Sequence, residues 1–263
     1  MSTLLYDSPG PKARKRSRAM TGISVLILSA LGAWVYQELN TAGMLAGALW
    51  RTVVQPDLLS LLAHGLLATF EAALVAIALS LLLGGVLSAG MIKRSYILNT
   101  ILRTLIEVFR GLPLLLLIFF LFLGGPAIGL EISTFWALVL GITLYNGAVF
   151  AEIFRAGINT LPKGQAEAGL AIGLQRGEIF RVILLPQSVI RMLPAILSQL
   201  VTIVKETSLG FVIGYSELLR DARSAVEFLG GEYSLPIYTL VAAVYIIISF
   251  FISALARKAQ SLL

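Results

Sequence analysis

A chain of 263 residues that is 58% apolar and only 13% charged, with a mean hydropathy of +0.91, cannot clothe a water-facing surface; a soluble domain carries about 25% charged residues. Apolar runs of about 20 residues point to spanning helices, and the short alternating strands of a barrel are missing, so the expected fold class is an all-α integral membrane protein. The absence of cysteine and a single histidine exclude disulfide frameworks, thiolate metal sites and imidazole clusters, and the net charge of +6 is read as a basic cytoplasmic face rather than nucleic-acid binding.

Residues 1–19 form a polar head in which Pro9-Gly10-Pro11 precedes Lys12, Arg14, Lys15, Arg16 and Arg18. Proline, glycine and like charges predict an unfolded basic tail drawn to anionic headgroups. Residues 20–37 are the first apolar run. It reads as an anchoring helix, with a cleaved signal segment as the alternative because Ser29-Ala30-Leu31-Gly32-Ala33 places small residues near its end. Five further runs follow, at about 59–92, 98–123, 134–154, 192–214 and 235–255, giving six transmembrane helices.

Positive charge alternates between the connections. Lys93, Arg94 and Arg103 lie between the second and third spans, Arg155, Lys163, Arg176, Arg181 and Arg191 at or between the fourth and fifth, and Arg257 and Lys258 after the sixth. The other connections hold only Arg51, Arg220 and Arg223, with Glu38, Asp57, Glu131, Glu217, Asp221, Glu227 and Glu232. Both termini are therefore expected to be cytoplasmic, in a multi-pass cell-membrane protein.

The second span carries Ala68, Ala72, Ala76, Ser80, Gly84 and Ser88 at every fourth position, a ridge that lets another helix backbone approach closely. Pro113 and Pro194 are expected to bend or break the third and fifth spans, freeing carbonyls that only protein or a wet cavity can satisfy. No internal repeat is visible, so an inverted-repeat transporter has no support.

The longest cytoplasmic connection, 157–191, reads as two short helices. Pro162 opens the first, Gly173 ends it in a left-handed turn, and Gly177 and Pro186 bracket a second in which Ile179, Phe180, Ile183 and Leu184 are apolar. Lys163, Gln165, Glu167, Gln175, Arg176, Glu178 and Arg181 alternate with that set. Such a hairpin is too short to fold alone and needs either a partner surface or the headgroup layer.

Here the chain resembles the permeases of ATP-binding-cassette (ABC) importers. Glu167-Ala168-Gly169, three residues, Gly173, nine residues, then Ile183-Leu184-Leu185-Pro186 matches their EAA loop, with glycine in place of the third alanine. Ala151-Glu152-Ile153-Phe154-Arg155, Lys163-Gly164-Gln165 and Lys205-Glu206-Thr207-Ser208-Leu209 are similar to the polar amino-acid subfamily, as is Arg110-Gly111-Leu112-Pro113-Leu114. The resemblance implies a five-span permease domain over 59–258 with one added N-terminal helix, in the membrane of a bacterium. It further implies a pair of ATP-binding subunits, a second permease subunit, expected to be a different chain, and an extracytoplasmic binding protein. ATP and magnesium would be held by the ATPase, with no cofactor in this chain. The loop would be the coupling element, through Gln165, Glu167, Ala168, Gly169, Gly173 and Arg176. The polar amino acid would be glutamate, with glutamine, histidine or arginine as alternatives.

Physical reasoning adds candidates for the path. Lys205 lies about 21 Å up the fifth span from Arg191, past the middle of a core about 30 Å thick, so Lys205 and Glu206 should face protein or water. Lys205 lines or braces the path, or is satisfied by carbonyls at a subunit interface; Thr207, Ser208 and Asn146 are its companions. Glu152 and Arg155, three apart, form an inner gate or a simple ion pair. Arg103, Glu107 and Arg110 share another face, where headgroup anchoring is expected. Glu167 is expected near the positive end of the first loop helix. Enzyme chemistry is not expected: there is no phosphate-binding loop or zinc-protease motif, and His64 has no convincing partner. A membrane enzyme or an ATP-independent transporter remains the alternative class.

Overall fold

The computed structural model describes residues 10–92 and 96–261, and these are almost entirely helical. Met1–Pro9 of the basic head, and Lys93 and Arg94, lie outside the described residues. The helices are α1 (Pro11–Thr41), α2 (Gly47–Thr52), α3 (Pro56–Ile92), α4 (Tyr96–Gly111), α5 (Leu114–Ala127), α6 (Thr134–Asn159), α7 (Lys163–Ala171), α8 (Arg176–Glu178), α9 (Leu185–Glu206), α10 (Leu218–Leu229) and α11 (Ser234–Ser261). Among the described residues five segments are long and apolar enough to cross a membrane, or six if the bent pair α4–α5 is counted as one span.

The basic head departs from expectation. The helix begins at Pro11, so Lys12, Arg14, Lys15, Arg16 and Arg18 form its first turns rather than a tail. Pro11 sits at the helix start, where its missing N–H costs nothing, and the apolar run beyond propagates the helix back through good helix formers. No residue of α1 is buried.

The frame is the pair α3 and α6. Ala72, Ala76, Ser80 and Gly84 of the small ridge are buried, and at Gly84 an added Cβ would lie 2.6 Å from the Phe150 Cβ and 3.0 Å from the Ala151 nitrogen. The ridge thus admits the α6 backbone, as its spacing predicts. Leu67, Leu74 and Leu82 point outward, each about two-thirds exposed, as a lipid-facing stripe. α9 runs antiparallel to α6, with Met192 against Gly157 and Gln199 against Asn146. At the opposite end from α7, α10 rests on the start of α3: the Tyr215 hydroxyl donates to the Ala68 carbonyl at 3.0 Å and the Leu218 N–H to the Thr69 hydroxyl at 3.2 Å.

The two prolines behave differently. At Pro113 the third span breaks into α4 and α5, inclined at 95°. Pro113 has extended backbone (ψ 128°), and with Gly111 before it the chain turns. Pro194 lies inside α9, which continues through it. The second hairpin helix is also not separate: α8, a π-helical stretch over Ile179–Leu184 and α9 follow without a break. Pro186 does not end a helix; the widened π turn sets it in the first turn of α9, where no backbone donor is required.

Candidate functional site

The connection expected to couple to an ATPase is built by local rules. Pro162 caps α7, and Gly173 has φ +84°. The Gly173 N–H donates to the Leu170 carbonyl (3.0 Å) and the Leu174 N–H to the Gly169 carbonyl (3.1 Å), so the helix ends in the left-handed reversal that its sequence predicts. Gln175 and Glu178 cap one another at the start of α8, the Glu178 carboxylate accepting the Gln175 N–H at 2.8 Å. Gly169, standing where the motif has alanine, is buried: a Cβ there would lie 2.8 Å from the Ile179 Cγ1 and 3.1 Å from the Ile183 Cδ1. The glycine lets α7 close on the π segment. Arg191 donates to the Thr160 carbonyl (2.9 Å) and Gln187 to Gln165 (3.3 Å), tying the hairpin to the base of α9.

Gln165, Glu167, Ala168 and Arg176 are exposed, beside Leu170 and Ile172 at 50% and 76% exposure. Apolar side chains among exposed charges make this an amphipathic face that the other described residues leave open. Glu167, however, is the fifth residue of α7, and the first turn holds no acidic residue. The expected stabilisation by the helix N-terminus is absent, and its carboxylate is free to meet a basic group.

The path candidates separate into two sets. Asn146 is buried at the centre of a network between α6 and α9: its amide donates to Glu206 (2.6 Å) and to the Ile142 carbonyl (3.1 Å), while its oxygen accepts from Gln199 (2.5 Å). Asn146 lies about 18 Å along α6 from Thr134, near mid-membrane. Lys205 points elsewhere. It is exposed and lines a cavity of about 350 Å³ with Pro194, Ser198, Thr202, Ser253 and Arg257. The proline deprives the Ile190 carbonyl of its helical donor on this same polar side. Thr207 is fully buried and donates to the Val204 carbonyl, and Ser208 donates to the Lys205 carbonyl, so both hydroxyls are engaged by the helix end. Gln199 escaped the sequence reading, although it lies two turns from Glu206 on the same face.

Glu152 and Arg155 form an ion pair, with the Arg155 Nε donating at 2.9 Å. They lie about 120° and 180° around α6 from Asn146, toward α4, and so are not joined to the central network. Instead they share a pocket with Arg103, Glu107 and Arg110, two groups that sequence reasoning kept apart. At the opposite end of the bundle, Glu217 is buried rather than a loop charge. It caps α10 by accepting the Leu219 and Arg220 N–H groups at 2.9 and 2.8 Å and takes the Tyr245 hydroxyl at 3.0 Å. Burial nevertheless outweighs these donors, and with the nearby Asp221 carboxylate pushes the Glu217 carboxyl up to about 7.

An all-helical bundle of apolar spans, with a polar network between α6 and α9 and an exposed amphipathic hairpin, is the architecture of a multi-pass membrane protein of the permease class. The chain belongs to the family of binding-protein-dependent transport system inner membrane components, whose family model matches residues 76–261. It is 36% identical over 214 residues to the glutamate transport system permease protein GluD of Corynebacterium glutamicum, covering 80% of this chain and 75% of that protein. It is 34% identical over 203 residues to the probable glutamine ABC transporter permease protein GlnP of Bacillus subtilis, covering 77% and 93%. Among solved structures, an amino acid ABC transporter with histidines superposes with a TM-score of 0.75 at 28% identity, over 79% of this chain and 96% of that one. The family, with the apolar spans, places the chain in the bacterial inner membrane as a multi-pass protein.

Proposed function

We propose that this chain is the permease subunit of an ATP-driven importer of polar amino acids, forms half of the translocation path, and takes glutamate as its substrate. The observation that carries the reading is the hairpin: a capped α7, reversed at Gly173 and packed through Gly169 on the segment that becomes α9, with its outer face exposed. A pair of ATP-binding subunits would grip this face. Both termini would then be cytoplasmic, with α10 directed toward the extracytoplasmic binding protein and ATP and magnesium bound only by the ATPase. A second permease subunit would close the open side of the Lys205 cavity, where the ammonium would attract a substrate carboxylate. Movement of α9 would alter the Asn146–Glu206–Gln199 contacts at mid-membrane. Glutamate is supported by the name of the GluD relative and by the cationic lining of the cavity.

The test is uptake of labelled glutamate, glutamine, histidine and arginine in cells lacking this gene. Loss of glutamate uptake, restored by the gene and not by its Lys205→Ala variant, is the expected result. Unchanged glutamate uptake with loss of another amino acid reassigns the substrate. Uptake by vesicles holding only this chain would overturn the reading of the hairpin.

A further inference from the structure

The break at Pro113 gives α4 a different environment from the other spans. It lies at 95° to α5, and its residues divide into three faces. Leu102, Ile106 and Phe109 pack on Leu87, Ala148 and Ala151 of α3 and α6. Ile97, Ile101 and Val108 are 72%, 58% and 51% exposed. Arg103, Glu107 and Arg110 take the remaining arc. A helix divided in this way lies in a membrane interface, with apolar residues toward hydrocarbon and basic residues toward headgroups.

The arginine arc of α4 faces the end of α6. Arg103, Glu107, Arg110, Glu152 and Arg155 line a cavity of about 120 Å³, the volume of about four waters and the scale of one phosphate group. Glu152 is already engaged by Arg155, whereas neither Arg103 nor Arg110 has an ion-pair partner among the described residues. Three arginines against two glutamates leave the pocket with net charge +1. Its depth is that of the headgroups: Glu152 and Arg155 lie about 27 and 32 Å along α6 from Thr134, against a hydrocarbon core of about 30 Å. The pocket is also turned away from Asn146, so it is separate from the polar network between α6 and α9.

We propose that Arg103 and Arg110 hold the phosphate of an anionic lipid headgroup in this pocket, fastening α4 to the membrane interface. Guanidinium groups suit this ligand because their forked donors match phosphate oxygens. The same chemistry is carried by free phosphate, and the experiment separates the two sources.

The full-length chain is placed in phosphatidylcholine nanodiscs containing a minor fraction of phosphatidylglycerol, re-extracted, and the phosphatidylglycerol retained per chain is measured by mass spectrometry. Retention by the Arg103→Gln/Arg110→Gln variant is expected to fall by roughly tenfold or more, the scale of losing charge-assisted hydrogen bonds. An Arg176→Gln/Arg181→Gln variant, which removes the same charge from the hairpin region, is expected to retain the wild-type amount. Should the glutamine pair not fold, Arg103→Lys/Arg110→Lys keeps the charge but loses the fork, and partial loss is expected. Equal retention by wild type and the α4 variants overturns the proposal, as does equal loss in the hairpin variant. Displacement of the lipid from wild type by millimolar inorganic phosphate overturns it in favour of a soluble-anion site.

Discussion

Two adjacent glycines in α3 give a sharp test of how the central helices meet. At Gly84 an added methyl would stand 2.6 Å from the Phe150 Cβ and 3.0 Å from the Ala151 nitrogen and the Gly147 oxygen; at Gly85 it would meet nothing within 4 Å. Carbon atoms in contact rest about 3.5–4.0 Å apart, so the α6 backbone must retreat by about 1 Å to admit Gly84→Ala. Overpacking of this kind costs about 1–3 kcal/mol. Both variants gain the same helix preference of alanine over glycine, about 1 kcal/mol, so the difference between them isolates the contact term. Gly84→Ala should therefore be less stable than Gly85→Ala by about 1–3 kcal/mol, roughly a fivefold to 150-fold shift in the unfolding equilibrium. Denaturation of the purified full-length chain in detergent, followed by helical circular dichroism, measures that difference. Equal midpoints for the two variants would refute the close approach of α3 and α6.

Gly173→Pro should uncouple ATP hydrolysis from uptake, because proline can adopt neither φ +84° nor the donor role that Gly173 plays to Leu170. Glu167→Lys should have the same effect through its exposed charge, and both proteins should still insert; wild-type uptake by the two in the reconstituted transporter would remove the docking role. Glu217 makes stability depend on pH. Its folded-state value of about 7 lies above the ordinary 4.5, so the fold binds this proton more tightly than the unfolded chain. The contribution is complete below about pH 4.5 and is lost as pH rises through about 7, by on the order of 3 kcal/mol. Denaturation midpoints should fall across that window in wild type and change little in Glu217→Gln; parallel slopes for the two would contradict this assignment.

The sequence carried most of the frame because each long apolar run is itself a spanning helix, and the fourfold spacing of Ala72, Ala76, Ser80 and Gly84 marks the face of α3 that α6 covers. The first half of the hairpin was legible for a local reason, since Pro162 and Gly173 determine its cap and turn without help from distant residues, whereas the Gln175–Glu178 cap and the unbroken run into α9 were not read. What composition cannot supply is direction across the bundle. Lys205 and Glu206 are neighbours in the chain, yet one lines a cavity and the other bonds to Asn146, sixty residues away. Arg110 and Arg155 line one pocket where α4 lies beside α6, and a proline alone does not distinguish the 95° break at Pro113 from the unbroken helix at Pro194. Glu217 reads as a loop charge because its burial depends on Tyr245, 28 residues onward.

The π-helical stretch between α8 and α9 has a mechanical consequence. From Arg176 to Ile213, α8, the π stretch, α9 and a closing 3-10 turn follow one another as one helical run, with Pro194 inside it. In the proposed importer, a displacement applied at the hairpin would be passed along this run toward the amide–carboxylate contact at Glu206. If the proposed function holds, the stroke of an external motor and the rearrangement of the contacts around Asn146 would be two ends of the same motion.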